Sequence, residues 1–327
     1  MSIVYKSVCI SRRGVLGLAT AVLGSTMGVP IAIARERVRI GLATKTWWPS
    51  AVTEAAVGQK LFEKEGLEAE LTVYRGGGEA FEALAAGAAD LVINLPSLVA
   101  TGRQRGVKAK IVATGGTANS GWHLMVPRQS PAKDAKELAG KKVGITSAGS
   151  LSDFLALWTI QEKQVQFTRV PLGGGGLVPN LLSGNVDAVV LYSPLSFQVM
   201  KNDGRSLIDY AEGVPSHLNS GWVAIDDYIA RKRDTLQKSL DAIYGGLAYL
   251  RENRSEAIKL LVKINEIPDD IAAMEYEQAI LKLSPDGAIT LPLAERALEL
   301  ARIGGMKDLA PAADIFTTEI RPVPTRR

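Results

Sequence analysis

The sequence predicts an α/β protein of two similar lobes joined by two crossing strands, with a ligand cleft between them. Three observations carry this reading. A Gly-rich loop, an Ala-rich helix and an apolar strand follow one another over residues 75–97, and the same order returns over residues 172–194. The copies keep one offset of 97 residues, which pairs Gly76 with Gly173, Leu84 with Leu181, Gly87 with Gly184 and Asp90 with Asp187. A lag that long marks two copies of an α/β unit and not a solenoid, whose repeats are shorter. The tetrapeptide Asn-Ser-Gly-Trp then stands at 119–122 and again at 219–222, bracketing the second copy. Two facing lobes make a cleft, a preferred place for a small ligand.

Each element follows from local pattern. Alternation over residues 38–43 predicts a strand, and residues 51–65 an amphipathic helix stopped by Gly66. Residues 67–74, 91–95 and 108–114 read as further strands, with helices over 79–86 and 97–105 between them. Strands alternating with helices predict a parallel sheet covered on both faces. Residues 123–126 lead away from the first lobe, and 131–140 reads as a short polar helix. The second lobe then supplies strands at 142–145, 165–170 and 188–191, a helix at 151–162 and one more short strand at 207–209. The two Asn-Ser-Gly-Trp copies are read as the crossings, with Gly121 and Gly221 as hinge glycines. Helices over 231–252, 255–262, 268–283 and 291–304 form a tail expected to pack on the first lobe. The expected division is 35–121 with 223–327 for the first lobe and 122–222 for the second.

Residues 1–34 are a separate matter. Arg12 and Arg13 precede an uncharged apolar run that ends at Ala32-Ile33-Ala34, the grammar of an export signal cleaved after Ala34. Ser11-Arg12-Arg13 is similar to a twin-arginine signal, although Val15 and Gly17 depart from that pattern and leave ordinary Sec export open. Five glycines and prolines interrupt the run too often for a good spanning helix. This segment carries Lys6, Arg12 and Arg13 and no acid, so its loss lowers the net charge of the 327-residue chain from +4 to +1. The apparent basicity then argues for no nucleic-acid partner. Cys9, the only cysteine, leaves with the signal, and with it any disulfide, thiolate nucleophile or cysteine metal site.

Catalytic patterns are weak. His123 and His217 are the only histidines, and neither has the spacing of a metal-binding pair. No G-x-S-x-G elbow or phosphate-binding P-loop exists, and the run 173–176 lacks the third glycine of a dinucleotide fingerprint. No catalytic residue, metal or cofactor is expected. Binding has better support, because ligands in parallel α/β lobes meet the carboxyl ends of strands, where loops lead into helix N-termini. Six such loops stand out: 44–50, 75–78, 94–97, 147–152, 172–176 and 192–196. They nominate Thr44, Lys45, Trp47, Trp48, Arg75, Gly77, Asn94, Ser97, Ser147, Gly149, Ser150, Gly174 and Ser193, with Asn119 added at the first crossing. Lys45 and Arg75 are the cations, and Trp47, Trp48 and Tyr192 the apolar walls. Of the two adjacent indoles, one is expected on the core and one in the cleft. Residues 147–152, which open an apolar helix, are the best single anion candidate; the same hydroxyls also serve as ordinary helix caps.

Ile40-Gly41 after the export signal, the Gly87-x-x-Asp90 and Gly184-x-x-Asp187 steps, and Lys142-Val143-Gly144 leading to Gly149-Ser150 resemble the periplasmic substrate-binding proteins of ABC importers. The nearest subgroup is similar to the aliphatic-sulfonate, taurine and nitrate binders and their thiamine-precursor-binding, NMT1/THI5-like relatives. The resemblance implies a type II periplasmic-binding-protein fold, closure of the lobes on a solute and docking of the closed form on an ABC permease. It implies that Gly149 and Ser150 help hold an anionic head, and that Thr44, Trp47, Asn94, Ser193 and Trp222 line the cleft. The expected ligand is a small organic anion, sulfonate-like or carboxylate, bound by a periplasmic monomer. The alternative is a pyrimidine, thiamine precursor or other heteroaromatic stacked on Trp47 or Trp48. A thiamine-pyrimidine-forming enzyme on the same scaffold stands third, since relatives of that kind rely on a cysteine cluster.

Overall fold

Two five-stranded sheets, one from each sequence copy, organise residues 35–320, the part of the chain that the computed structural model describes. The expected export signal and Cys9 lie outside the described residues. The first lobe runs β1 (Glu36–Leu42), α1 (Trp48–Gly58), α2 (Leu61–Lys64), β2 (Leu67–Val73), α3 (Gly77–Ala85), β3 (Leu91–Asn94), α4 (Pro96–Gln104) and β4 (Ala109–Gly116). The second runs β5 (His123–Pro127), β6 (Lys142–Ile145), α5 (Leu151–Glu162), β7 (Thr168–Pro171), α6 (Leu177–Leu182), β8 (Ala188–Leu191), α7 (Leu195–Asn202), β9 (Gly204–Asp209) and α8 (Tyr210–Gly213). The chain then returns through β10 (Ser220–Ile225) to α9 (Asp226–Arg231), α10 (Arg233–Glu252), α11 (Arg254–Asn265), α12 (Asp269–Gln278) and α13 (Leu291–Ile303).

The strand orders are β2-β1-β3-β10-β4 and β7-β6-β8-β5-β9, one pattern in which β5 and β10 have changed lobes. The purely parallel sheets expected from the strand–helix alternation are therefore mixed: β10 runs antiparallel to β3 and β4, and β5 antiparallel to β8 and β9. The cause is direction of entry. The other strands finish at the cleft, whereas a strand arriving from the opposite lobe starts there and must run away from it. The central β3 and β8 are buried along their whole length, as continuous apolar strands covered on both faces should be.

The duplicated Gly-x-x-Asp steps perform one local task in both lobes. Gly87 and Gly184 follow α3 and α6 with φ of 72° and 74°, where a side chain would be strained. Asp90 then accepts a hydrogen bond from the Arg39 N–H at 2.8 Å, and Asp187 one from the Lys142 N–H at 2.9 Å. Each step thus ties the end of a helix to a neighbouring strand, β1 or β6, at the edge remote from the cleft, and its role is structural.

Smaller departures have local causes. The helix expected over 51–65 is broken into α1 and α2 at Lys60, which is left-handed with φ of 56°. The polar helix expected over 131–140 is only a 3-10 turn, Ala135–Leu138, capped by Asp134. The tail does cover the first lobe, with α10 lying along α1 and α2, but α12 also meets α7 and α13 meets α5. A Lys201–Asp270 ion pair joins α7 to α12. The tail therefore bridges both lobes.

At the crossings the two tetrapeptides lie side by side. The Asn219 N–H donates to the Gly116 carbonyl at 3.1 Å, the His217 N–H to the Thr117 carbonyl at 3.0 Å, and the Asn219 amide donates to Asn119 Oδ1. Gly121 is left-handed, with φ of 75°. Gly221 sits inside β10, where a Cβ would stand 2.7 Å from the Ala113 carbonyl oxygen, so close packing and not backbone freedom explains that glycine.

Gly246 shows how tightly the tail is seated. Alanine there would gain up to about 1 kcal/mol in helix propensity, but its Cβ would stand 2.5 Å from the Val52 carbonyl oxygen of α1. Gly246→Ala is expected to destabilise the protein by about 1–3 kcal/mol, read as a lower urea midpoint at unchanged slope. A raised midpoint would show that α1 and α10 can separate without loss.

Candidate functional site

Four helices from the two lobes begin at one cavity. Trp47 caps α1, Gly77 opens α3, Leu95 caps α4, and Ser150 caps α5 with Leu151 following. All five residues line one tight space, with about 20 Å³ open to the centre of a water-sized molecule, completed by Ala43, Thr44, Ile93, Asn94, Trp122, Thr146 and Tyr192. No lining residue carries a charge. The first N–H groups of a helix have no partner within it, and the helix dipole adds positive potential at the same end. An anion is therefore favoured in this space without a cationic side chain.

Rings make one wall. Trp47 meets Trp122 edge-on with centroids 5.8 Å apart, and Trp122 meets Tyr192 at 5.3 Å. The Tyr192 hydroxyl is 3.1 Å from Thr46 Oγ1, a contact from the second lobe to the first. Burial raises the Tyr192 phenol above its usual range, with the Thr44 and Thr46 hydroxyls acting against this, so it stays a neutral donor. Hydroxyls and an amide make the other wall. Ser150 Oγ accepts from the Asp153 N–H at 3.3 Å and pairs with Ser152 Oγ at 2.8 Å, while Ser152 also accepts from the Thr146 N–H at 2.8 Å. Asn94 donates to the Gly77 carbonyl at 2.6 Å and accepts from the Leu95 N–H at 2.9 Å, which fixes the starts of α3 and α4 relative to each other. Thr44 differs from these: it is 7% exposed and its Oγ1, near the Tyr192 hydroxyl, makes no hydrogen bond of good geometry. A buried hydroxyl left unpaired costs about 1–3 kcal/mol, so Thr44 is the lining group most in need of a ligand atom.

Of the residues nominated from sequence, Thr44, Trp47, Gly77, Asn94 and Ser150 come together on this lining. The others lie elsewhere. Lys45 is exposed and paired with Glu266 at 2.9 Å, and Arg75 is exposed with its carbonyl accepting from the Gly174 N–H. Both cations stand outside because their long side chains leave the loops on the solvent side. Trp48 packs edge-on against Trp222 at 6.3 Å, so Trp47 is the cleft indole and Trp48 the core one; Trp222 is fully buried beside it. Ser97 is buried in α4, and its carbonyl accepts from the Thr101 hydroxyl. Asn119 belongs to the crossing. Ser147 and Gly174 are held against the opposite lobe. The Gly149 N–H is taken by Asp153, itself paired with Arg169, which shapes the loop before α5. Ser193 packs against Gly121 at the first crossing.

Sequence reading missed Trp122, Thr146, Leu151, Ile93 and Leu95. A signal existed for two of them. Thr44 and Thr146 each follow a strand whose next-to-last residue is glycine, Gly41 and Gly144, and Trp122 belongs to the repeated tetrapeptide. The two glycines even serve alike: a Cβ on Gly41 would stand 2.8 Å from Val92, and one on Gly144 2.9 Å from Val189, residues related by the same offset of 97.

The chain belongs to the NMT1/THI5-like family, whose sequence pattern matches residues 54–257, more than half of its length. Among similar solved structures is the alkanesulfonate-binding protein SsuA from Xanthomonas axonopodis pv. citri bound to MOPS, with 16% identity, a TM-score of 0.74, and coverage of 87% of this chain and 99% of that one. The periplasmic aliphatic sulphonate-binding protein SsuA from Escherichia coli has 21% identity and a TM-score of 0.69, covering 86% of this chain and 97% of that one. The periplasmic nitrate-binding protein NrtA from Synechocystis PCC 6803 has 14% identity and a TM-score of 0.61, covering 74% and 70%. These likenesses show a periplasmic-binding-protein fold of two α/β lobes.

The buried histidines and Glu275 are not among the residues lining this cavity. His123 Nδ1 is 3.1 Å from Ser206 Oγ, and His217 Nδ1 is 2.7 Å from the Pro215 carbonyl. Burial lowers both imidazoles, that of His217 to about 4. Among the described residues no group of three or more His, Cys, Asp or Glu is placed to hold a metal ion. Glu275 of α12 is buried without a hydrogen bond of good geometry to its carboxylate, and burial pushes its pKa up to about 7, with the nearby Ser193 hydroxyl acting against it.

The two shifts have opposite consequences. Glu275 costs the fold nothing below pH 4.5, its unfolded value, and destabilises it progressively as pH rises to about 7. Neutral His217 supports the fold above pH 6.5, and that support fails as pH falls through about 4. Between pH 4.5 and 6.5 the slopes oppose each other. Glu275→Gln should expose the histidine slope, a rise of up to about 1.4 kcal/mol per pH unit, and exceed wild-type stability at pH 8. Urea melts over pH 4–8 test this, and parallel profiles for the two proteins would mean that Glu275 is paired in solution.

Proposed function

We propose that this NMT1/THI5-like chain is an exported solute-binding protein that captures a small organic anion, sulfonate-like or carboxylate, by closing its lobes, and delivers it to an ABC permease. The observation that carries the ligand class is the convergence of four helix N-termini, drawn from both lobes, on one cavity without charged lining. Dipoles and backbone N–H groups hold an anion by its negative oxygens, the Thr44 hydroxyl completes the shell, and Trp47, Trp122 and Tyr192 cover an apolar body. The similar sulfonate- and nitrate-binding structures support solute capture. The apolar run after Arg12-Arg13 supports export to the periplasm, and no helix of the described residues is long and apolar enough to cross a membrane. A lining that pairs no nucleophile with a base supports the reading of binding without turnover. A monomer serves this role, since both lobes and the cavity come from one chain.

The same ring wall, with no cation beside it, favours a neutral pyrimidine or other heteroaromatic as the second reading. The two separate by mutation. Thr44→Val should weaken an anion by about 5- to 100-fold, as losing a partner to a buried polar group does, while Trp47→Ala should weaken a stacked ring more. A thermal-shift panel of sulfonates, carboxylates, nitrate and pyrimidines comes first, because a bound solute at a hundred times its Kd adds about 2.7 kcal/mol of stability. If no member of the panel raises the melting temperature, solute capture of either kind loses its support.

A further inference from the structure

Each Gly-rich loop lies against the opposite lobe. In the first lobe, a Cβ on Gly76 would stand 2.4 Å from Ser147 Oγ, and a Cβ on Gly78 would stand 2.4 Å from the Ala148 carbonyl oxygen. The Gly78 N–H donates to Ser147 Oγ at 3.2 Å. In the second lobe, a Cβ on Gly174 would stand 2.6 Å from Thr44 Cγ2 of the first lobe and 2.7 Å from the Tyr192 hydroxyl of its own, and the Gly174 N–H donates to the Arg75 carbonyl at 3.1 Å. The arrangement is reciprocal. The loop after β2 docks on the loop after β6, and the loop after β7 docks on the loops after β1 and β2, as the shared strand order of the two sheets requires.

Helix propensity argues against these glycines. Gly78 lies in the first turn of α3, where alanine would be preferred by up to about 1 kcal/mol, and its φ is not in the left-handed region. Neither local conformation nor contact with the cavity accounts for it. Its obstacle is a backbone oxygen of the other lobe, which no rotamer change moves.

We infer that the duplicated Gly-rich loops are a reciprocal latch: they set how far the lobes shut, and so the fraction of molecules in the closed, binding-competent form. The inference rests on the reading that the lobes open and close around a solute, but its test needs no solute. A spin-label pair on Lys64→Cys and Lys136→Cys, one per lobe, in the full chain carrying Cys9→Ser, reports the inter-lobe distance by electron–electron resonance. Gly78→Ala is expected to reduce the short-distance population of the unliganded protein at least about tenfold, as overpacking against backbone does, while leaving the melting temperature unchanged or raised. Gly174→Ala, which acts from the other side, should do the same. Gly175→Ala, whose Cβ would meet nothing within 4 Å, should leave the distances as in wild type. Apparent solute affinity scales with the closed fraction, so any solute found in the thermal panel should bind the two latch variants at least about tenfold more weakly.

A wild-type protein without a short-distance population, or a Gly78→Ala and Gly174→Ala pair as closed as wild type, overturns the latch. Failure of the solute reading looks different. No compound would then alter stability or distance, while the latch variants would still open the unliganded protein.

Discussion

The lobes meet through backbone, and the cavity depends on that nearness. Where Gly78 faces the Ala148 carbonyl and Gly174 faces the Thr44 side chain, each glycine leaves no side chain of its own between the two halves, so the starts of α3 and α5 approach one small volume. Helix dipoles act only within the first turn and are screened by water. Such partial charges weigh more in low-dielectric surroundings than in bulk water.

The absence of charge on the lining is part of the same design. A buried Lys or Arg would require its own counterion whenever the cleft stood empty. Partial charges from N–H groups carry no such demand, and hydroxyls such as Thr146, Ser150 and Ser152 satisfy one another until a solute arrives. Lys45, placed outside and paired with Glu266, is free to contribute to the surface field without entering the cavity.

Much of the architecture could be read from the chain because it is written twice. The offset of 97 residues located both Gly-rich loops, both Gly-x-x-Asp steps and both buried central strands, since each depends on short-range rules of turn, cap and periodicity. The mixed direction of the sheets was not visible, because strand direction at β5 and β10 is decided by which lobe the chain is leaving. The site was half legible. Thr44, Trp47, Gly77, Asn94 and Ser150 lie where strand ends meet helix starts, a positional rule that sequence can apply. Lys45 and Arg75 were nominated for their charge, but the direction of a side chain leaving a loop follows from tertiary packing. Trp122 and Trp222 share a tetrapeptide and part company in space: one follows a left-handed glycine out toward the cleft, and the other alternates into a sheet.

The tail has a mechanical consequence. Because α12 rests on α7 and α13 on α5, while α10 is fixed to α1, the segment crosses the spine of the molecule like a strap outside the two connecting strands. Gape on that side must shear these helix contacts and part Lys201 from Asp270, whereas the mouth has the glycine contacts and the Thr46–Tyr192 hydroxyl pair to release. A swing of the proposed kind would then be a one-sided tilt about the strapped edge, limited by how far α12 can slide before its apolar face is wetted.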